Sequence, residues 1–120
     1  MKAICVDDEI LLAEHTAALC RRMPILDGAE SFTSAQDALD WLGGNKADIA
    51  ILDIDMPDMS GIELAARMQQ IWPDIRIIFL TGYPEFEENL LSVKAAGYLL
   101  KPVRREVLSA QITRALEGKA

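Results

Sequence analysis

The 120 residues make the length of one ordinary domain, enough to bury a single continuous core, so 1–120 is expected to form one domain. Hydrophobic residues account for 51% and charged residues for 26%, without low-complexity tracts, which excludes a disordered or fibrous chain. Lys and Arg total 12 against 19 Asp and Glu, a net charge of -7. That sign opposes binding to a phosphate backbone, so no nucleic-acid binding by this chain itself is expected.

Met1 and Lys2 run directly into Ala3-Ile4-Cys5-Val6, a short apolar strand that stops at the acids Asp7, Asp8 and Glu9. This start has no signal-peptide pattern, and no apolar run reaches membrane-spanning length, so a cytoplasmic protein without membrane contact is expected. A first helix over 10–22 carries Leu12, Leu19 and Met23 at helical spacing and ends at Pro24, with Arg21 and Arg22 at its negative pole. Gly28 to Phe32 reads as a second strand, mainly because Ser34 then caps a helix with Ala35, Leu39 and Leu42 on one face, closed by Gly43-Gly44. Cys5 and Cys20 form no CxxC and no disulfide framework, and read as reduced, structural residues.

The third strand, 48–53, is an apolar run that delivers Asp53 to its carboxyl end. Pro57 interrupts the ladder, and Ser60 followed by Glu63 forms a capping box that starts a third helix running to about Trp72. Ile75 to Leu80 is a fourth strand ending at Thr81-Gly82. Glu85, Glu87 and Glu88 crowd the first turn of a fourth helix, which runs to about Ala95 before Gly97. Tyr98 to Leu100 is a fifth strand ending at Lys101-Pro102, and a fifth helix from Arg104 to about Leu116 turns Val107, Leu108 and Ile112 inward.

Strands alternating with helices predict an α/β fold: a doubly wound, flavodoxin-like parallel sheet of five strands in the order 2-1-3-4-5. The switch point of that order lies between strands 1 and 3, which end in Asp7-Asp8 and Asp53. Carboxylates converging there repel one another unless a hard divalent cation neutralises them, so Mg²⁺, or Mn²⁺ in its place, is the expected cofactor. Thr81 and Lys101 arrive at the same edge. A metal, a cation and a hydroxyl around one carboxylate suit phosphoryl transfer, with Asp53 as the nucleophile that becomes an aspartyl phosphate. Alone, Thr81 reads as a turn residue, Lys101 as a solvated charge and Tyr98 as a core aromatic; His15 reads as a surface or half-buried residue, and Trp41 and Trp72 as covers for the core.

With Asp7-Asp8, Asp53-Ile54-Asp55-Met56-Pro57-Asp58-Met59-Ser60-Gly61, Thr81-Gly82 and Lys101-Pro102 in place, the whole chain resembles the receiver domains of two-component response regulators. The resemblance implies that Asp53 accepts a phosphoryl group from the phosphohistidine of a sensor histidine kinase. It implies Mg²⁺ held by Asp8, Asp53 and the main-chain carbonyl of Asp55, with Asp7 acting partly through water, and Lys101 pairing with the phosphate. It further implies a switch in which the Thr81 hydroxyl moves toward the phosphate and Tyr98 turns inward, room for the phosphoryl group beside Gly82, and a cis peptide before Pro102. The output would be an effector, a partner or a homodimer engaged through helix 4, strand 5 and helix 5, with transcription as one such output. Thr81 to Val103 is similar to receivers that precede LytTR-type DNA-binding domains. Such a domain is a phosphoacceptor rather than an enzyme with turnover.

Asp53-Ile54-Asp55 also resembles the opening of the haloacid-dehalogenase-type phosphatase motif, but Pro57 stands where that motif has Thr. A nucleic-acid-cleaving metal site is the third class, and the net charge of -7 opposes it.

Overall fold

Five short runs, most of them strongly apolar, form five strands in the computed structural model, which describes residues 1–82 and 95–117. In chain order the elements are β1 (Lys2–Val6), α1 (Ile10–Arg21), β2 (Gly28–Phe32), α2 (Ala35–Leu42), β3 (Ile49–Asp53), α3 (Gly61–Ile71), β4 (Arg76–Thr81), β5 (Gly97–Leu100) and α4 (Arg105–Glu117). The fifth predicted helix is therefore α4. The expected fourth helix, opening at Glu85, lies outside the described residues, as does Tyr83. All pairings are parallel and the order is β2-β1-β3-β4-β5, as the alternation of elements required.

The two-residue period of the strands divides the core into two. Ile4, Leu52, Ile77 and Phe79 face α2 and α3, packing with Leu42, Leu64 and Met68. Cys5, Ile51, Ile78 and Leu80 face α1 and α4, packing with Ala17, Cys20, Leu108 and Ile112. β3 is buried along its whole length because helices cover both faces. Cys5 and Cys20 are buried thiols, with their Sγ atoms 4.0 Å apart.

Two inward faces differ from expectation. α1 buries Ala13, Thr16, Ala17 and Cys20, leaving Leu12 37% exposed and Leu19 at the margin. Small side chains let this helix lie close to the sheet, and the larger residues border the contact instead of making it. α4 buries Leu108, Ile112, Ala115 and Leu116, spaced i, i+4, i+7 and i+8, which places Val107 at 44% exposure, off that stripe.

The helix starts follow local chemistry. Ser34 Oγ accepts the Asp37 N–H at 3.3 Å, and Ser60 Oγ accepts the Glu63 N–H at 3.2 Å, so both predicted serine caps are made. Trp72 Nε1 donates to the Leu42 carbonyl at 3.1 Å, tying the end of α3 to that of α2. Among the described residues no helix is long and apolar enough to cross a membrane.

Candidate functional site

Strand register decides which side chains meet. Asp7 continues the alternation of Ala3 and Cys5, Asp53 that of Ile49 and Ile51, and Lys101 that of Leu99, so all three belong to the α1/α4 face of the sheet. Backbone ladders extend to this edge: Asp7 N–H donates to the Phe32 carbonyl at 3.1 Å and Lys101 N–H to the Thr81 carbonyl at 2.7 Å. The Lys101 ammonium consequently sits 2.8 Å from Asp7 Oδ2 and 3.3 Å from Asp53 Oδ1.

One carboxylate oxygen from each of Asp7, Asp8 and Asp53 lies within 4.8 Å of the others. Asp7 and Asp53 are buried, while Asp8 is exposed. Burial, followed by the neighbouring charge of Asp7, pushes Asp53 up to about 6, although Lys101 and the Asp55 N–H oppose the shift. Burial draws Lys101 down, but the hydrogen bond to Asp7 and the charge of Asp53 outweigh it and hold the ammonium above its ordinary value. Among the described residues, Lys101 thus bridges two of the three converging carboxylates.

The donor set consists of hard oxygens converging within 4.8 Å, and a small divalent cation such as Mg²⁺ fits it. Asp8, Glu9, Asp53, Asp55, Gly82 and Lys101 line a polar cavity of about 380 Å³ over this cluster. Asp55 is exposed, and its carboxylate is not one of the converging three. Its N–H donates to Asp53 Oδ1 at 3.3 Å, so its contribution inside the described structure is through the backbone.

Thr81 and Tyr98 belong to the other face. Thr81 continues the alternation of Ile77 and Phe79 and is fully buried, and the half-buried Tyr98 pairs with Phe79 across β4 and β5 and packs against the α2/α3 core. The Lys101–Pro102 peptide is cis, in agreement with the resemblance. His15 is exposed on α1, on the wall of a second, mainly apolar cavity of about 480 Å³ that Asp7 and Lys101 share.

Two residues of the motif that carries the resemblance, Gly61 and Asp58, make contacts that the sequence did not disclose. A Cβ at Gly61 would stand 2.1 Å from the Asp53 carbonyl oxygen and 2.8 Å from Ile54 Cα. Its φ is not positive, so close approach and not turn geometry requires glycine here. Asp58 Oδ2 accepts the Ala35 N–H at 3.0 Å, a contact between segments 23 residues apart that no local pattern announces.

A five-stranded parallel sheet with a carboxylate cluster at its switch point and a lysine bridging two of the acids defines a class, and comparison with known proteins places the chain in it. The model of the response regulator receiver domain matches residues 3–113, and the chain belongs to that family. It is 37% identical over 119 residues to the positive alginate biosynthesis regulatory protein of Pseudomonas aeruginosa, covering 96% of this chain and 47% of that protein. It is 28% identical over 120 residues to the transcriptional regulatory protein LytR of Staphylococcus aureus, covering all of this chain and 49% of LytR. The chain therefore spans about half the length of the curated relatives it matches. Among solved structures, the response regulatory domain of mrkE from Klebsiella pneumoniae superimposes with a TM-score of 0.86 at 28% identity, over 98% of this chain and 97% of that one. The N-terminal domain of a response regulator/sensory box/GGDEF protein from Carboxydothermus hydrogenoformans gives 0.88 at 27% identity, covering 99% and 96%. The LytR relatives agree with the LytTR-type resemblance of Thr81 to Val103.

Proposed function

We propose that Asp53 is the phosphoacceptor and that residues 1–120 act as one receiver domain, phosphorylated by a sensor histidine kinase in the cytoplasm. The observation that carries this reading is the buried Asp53 carboxylate, 3.3 Å from the Lys101 ammonium and grouped with Asp7 and Asp8 beneath an open polar cavity. In the reaction an Asp53 carboxylate oxygen attacks phosphorus, an O–P bond forms, and the P–N bond of the phosphohistidine breaks. The electron pair remains on the imidazole nitrogen, which takes up a proton.

Asp8, Asp53 and the Asp55 carbonyl would hold Mg²⁺, with Asp7 acting partly through water. When bound, the ion supplies positive charge to the phosphoryl oxygens. The protein's own residues do the remainder. Lys101 exchanges its contact with Asp53 for one with a phosphoryl oxygen, and exposed Gly82, with no side chain, leaves room for that group. Thr81 hydrogen-bonds the phosphoryl group, and Tyr98, on the same face of the sheet, follows it inward. The change reaches a partner, an effector domain or a second copy through β5, α4 and the expected fourth helix. Transcription is the output that the relatives' names suggest.

The chain retains one phosphoryl group and does not turn over substrate as an enzyme. Intact mass after incubation with acetyl phosphate and Mg²⁺ tests this. A single phosphoryl adduct that disappears in Asp53→Asn and in metal-free buffer is expected; steady release of inorganic phosphate without an adduct would reject it.

A further inference from the structure

The segment between β3 and α3 carries the acid Asp55, and its anchoring is uneven. On the β3 side the backbone holds it: the Ile54 N–H donates to the Leu80 carbonyl at 3.2 Å, and the Gly61 N–H donates to the Ile54 carbonyl at 2.9 Å. Met56 is buried in the α2/α3 core, in the same cluster as Ala35 and Ala38 of α2. Beyond Met56 the chain emerges at Pro57 and Asp58, both exposed, and there Asp58 Oδ2 takes the Ala35 N–H.

Ala35 N–H is one of the donors that the first turn of any helix leaves without an intrahelical acceptor. α2 already has its own cap, Ser34 on Asp37, so Asp58 is a second cap supplied by another part of the chain. The bond also sets a carboxylate at the positive pole of α2. Pro57, with its φ fixed, transmits the constraint from Asp58 toward Met56 and Asp55.

We propose that Asp58 is a positioning residue: by capping α2 it fixes the Asp53–Ser60 loop and with it the Asp55 backbone that faces the cation site. This inference rests on the phosphoacceptor reading above. Removing the bond would widen the range of positions open to the Asp55 carbonyl and so weaken a metal ion that this carbonyl helps to hold.

The test measures Mg²⁺ affinity by titration calorimetry and amide exchange of Asp55 and Met56 in metal-free protein. Asp58→Ala is expected to weaken Mg²⁺ about three- to tenfold and to speed exchange at both amides. Asp58→Asn, whose amide oxygen accepts the same bond, is expected to stay within about twofold of the unmodified protein. Ser34→Ala removes the helix's own cap and lowers the melting temperature, but should leave Mg²⁺ affinity unchanged. Unaltered affinity in Asp58→Ala, equal loss in Ser34→Ala, or equal loss in Asp58→Asn overturns the assignment. If the unmodified protein binds no Mg²⁺, the phosphoacceptor reading fails, and the amide-exchange comparison alone then upholds or overturns the anchoring by Asp58.

Discussion

The ends of β1, β3 and β5 and the loop that follows β3 are held by opposite means. Asp7, Asp53 and Lys101 are carried by the rigid edge of a sheet, and their positions follow from strand register, yet their charges are poorly balanced, with the Lys101 ammonium bridging two of three converging carboxylates among the described residues. The loop from Ile54 to Ser60 leaves the ladder after the Ile54–Leu80 bond; beyond it the loop is held by the close approach of Gly61, by buried Met56 and by the Asp58 carboxylate on the first turn of α2. The edge is geometrically secure and electrostatically strained, whereas the loop has satisfied polar contacts and depends on packing. Substitutions in the two regions should therefore fail differently in metal-free protein: those that disturb the packing of the loop at any pH, those at the edge in step with pH and with added cation.

The largest effect belongs to the loop. Gly61→Ala places a methyl group 2.1 Å from the Asp53 carbonyl oxygen, a backbone atom with no freedom to rotate away. The start of α3 must move off β3, breaking the Gly61–Ile54 hydrogen bond. A loss of about 3 kcal/mol is expected, measured by urea unfolding in metal-free buffer, with the same value at neutral and acidic pH. A loss under 1 kcal/mol would mean that the loop is not closely packed on the strand.

At the edge the next effect is smaller and conditional. Lys101→Met keeps the length of the side chain but leaves Asp7 and Asp53 facing each other without a cation. Because Lys101 is only partly buried, a loss of about 2 kcal/mol is expected in metal-free buffer, below the range for fully buried pairs. Millimolar Mg²⁺ should recover much of it, since a bound divalent ion answers the same charges. Equal losses with and without Mg²⁺ would place the cation elsewhere than among these carboxylates.

The same division explains what the sequence disclosed. Apolar runs alternating with helices, four of the five strands delivering a polar residue at their ends, pointed to the parallel sheet, and its common 2-1-3-4-5 order accounts for the meeting of Asp7, Asp8, Asp53 and Lys101, because register carries strand-end residues to one edge. The rotation of α1 was hidden: of Leu12, Leu19 and Met23, the more visible stripe, Met23 is buried and Leu19 packs at the margin, while Leu12 is exposed and the helix meets the sheet through Ala13, Ala17 and Cys20, whose small size allows close packing. The contacts of Asp58 and Gly61, two residues visible in the motif, were hidden for another reason. Their partners, Ala35 and the Asp53 carbonyl, are reached through tertiary packing, and neither contact leaves a periodic trace in the chain.

Asp53→Asn sharpens the comparison further, with an effect of opposite sign. The carboxyl of Asp53 stands at about 6 in the folded protein against 3.8 for an ordinary Asp, so the folded state binds its proton more tightly than the unfolded state does. Stability is therefore greatest below the unfolded value and falls as pH rises through the folded one, the reverse of a carboxylate held by a strong ion pair. A difference of about two pH units sets a ceiling of about 3 kcal/mol; solvent screening through the open cavity reduces the expectation to about 1–2 kcal/mol. The neutral Asn variant should thus be more stable than the unmodified protein at about pH 7.5 in metal-free buffer, melting about 5 °C higher, and should lose that advantage below about pH 4. Saturating Mg²⁺ should narrow the difference from the other side, because the ion stabilises the ionised form. Were Asp53→Asn no more stable at neutral pH, Lys101 alone would be balancing the edge, and the case for a divalent cation would rest only on the arrangement of the oxygens.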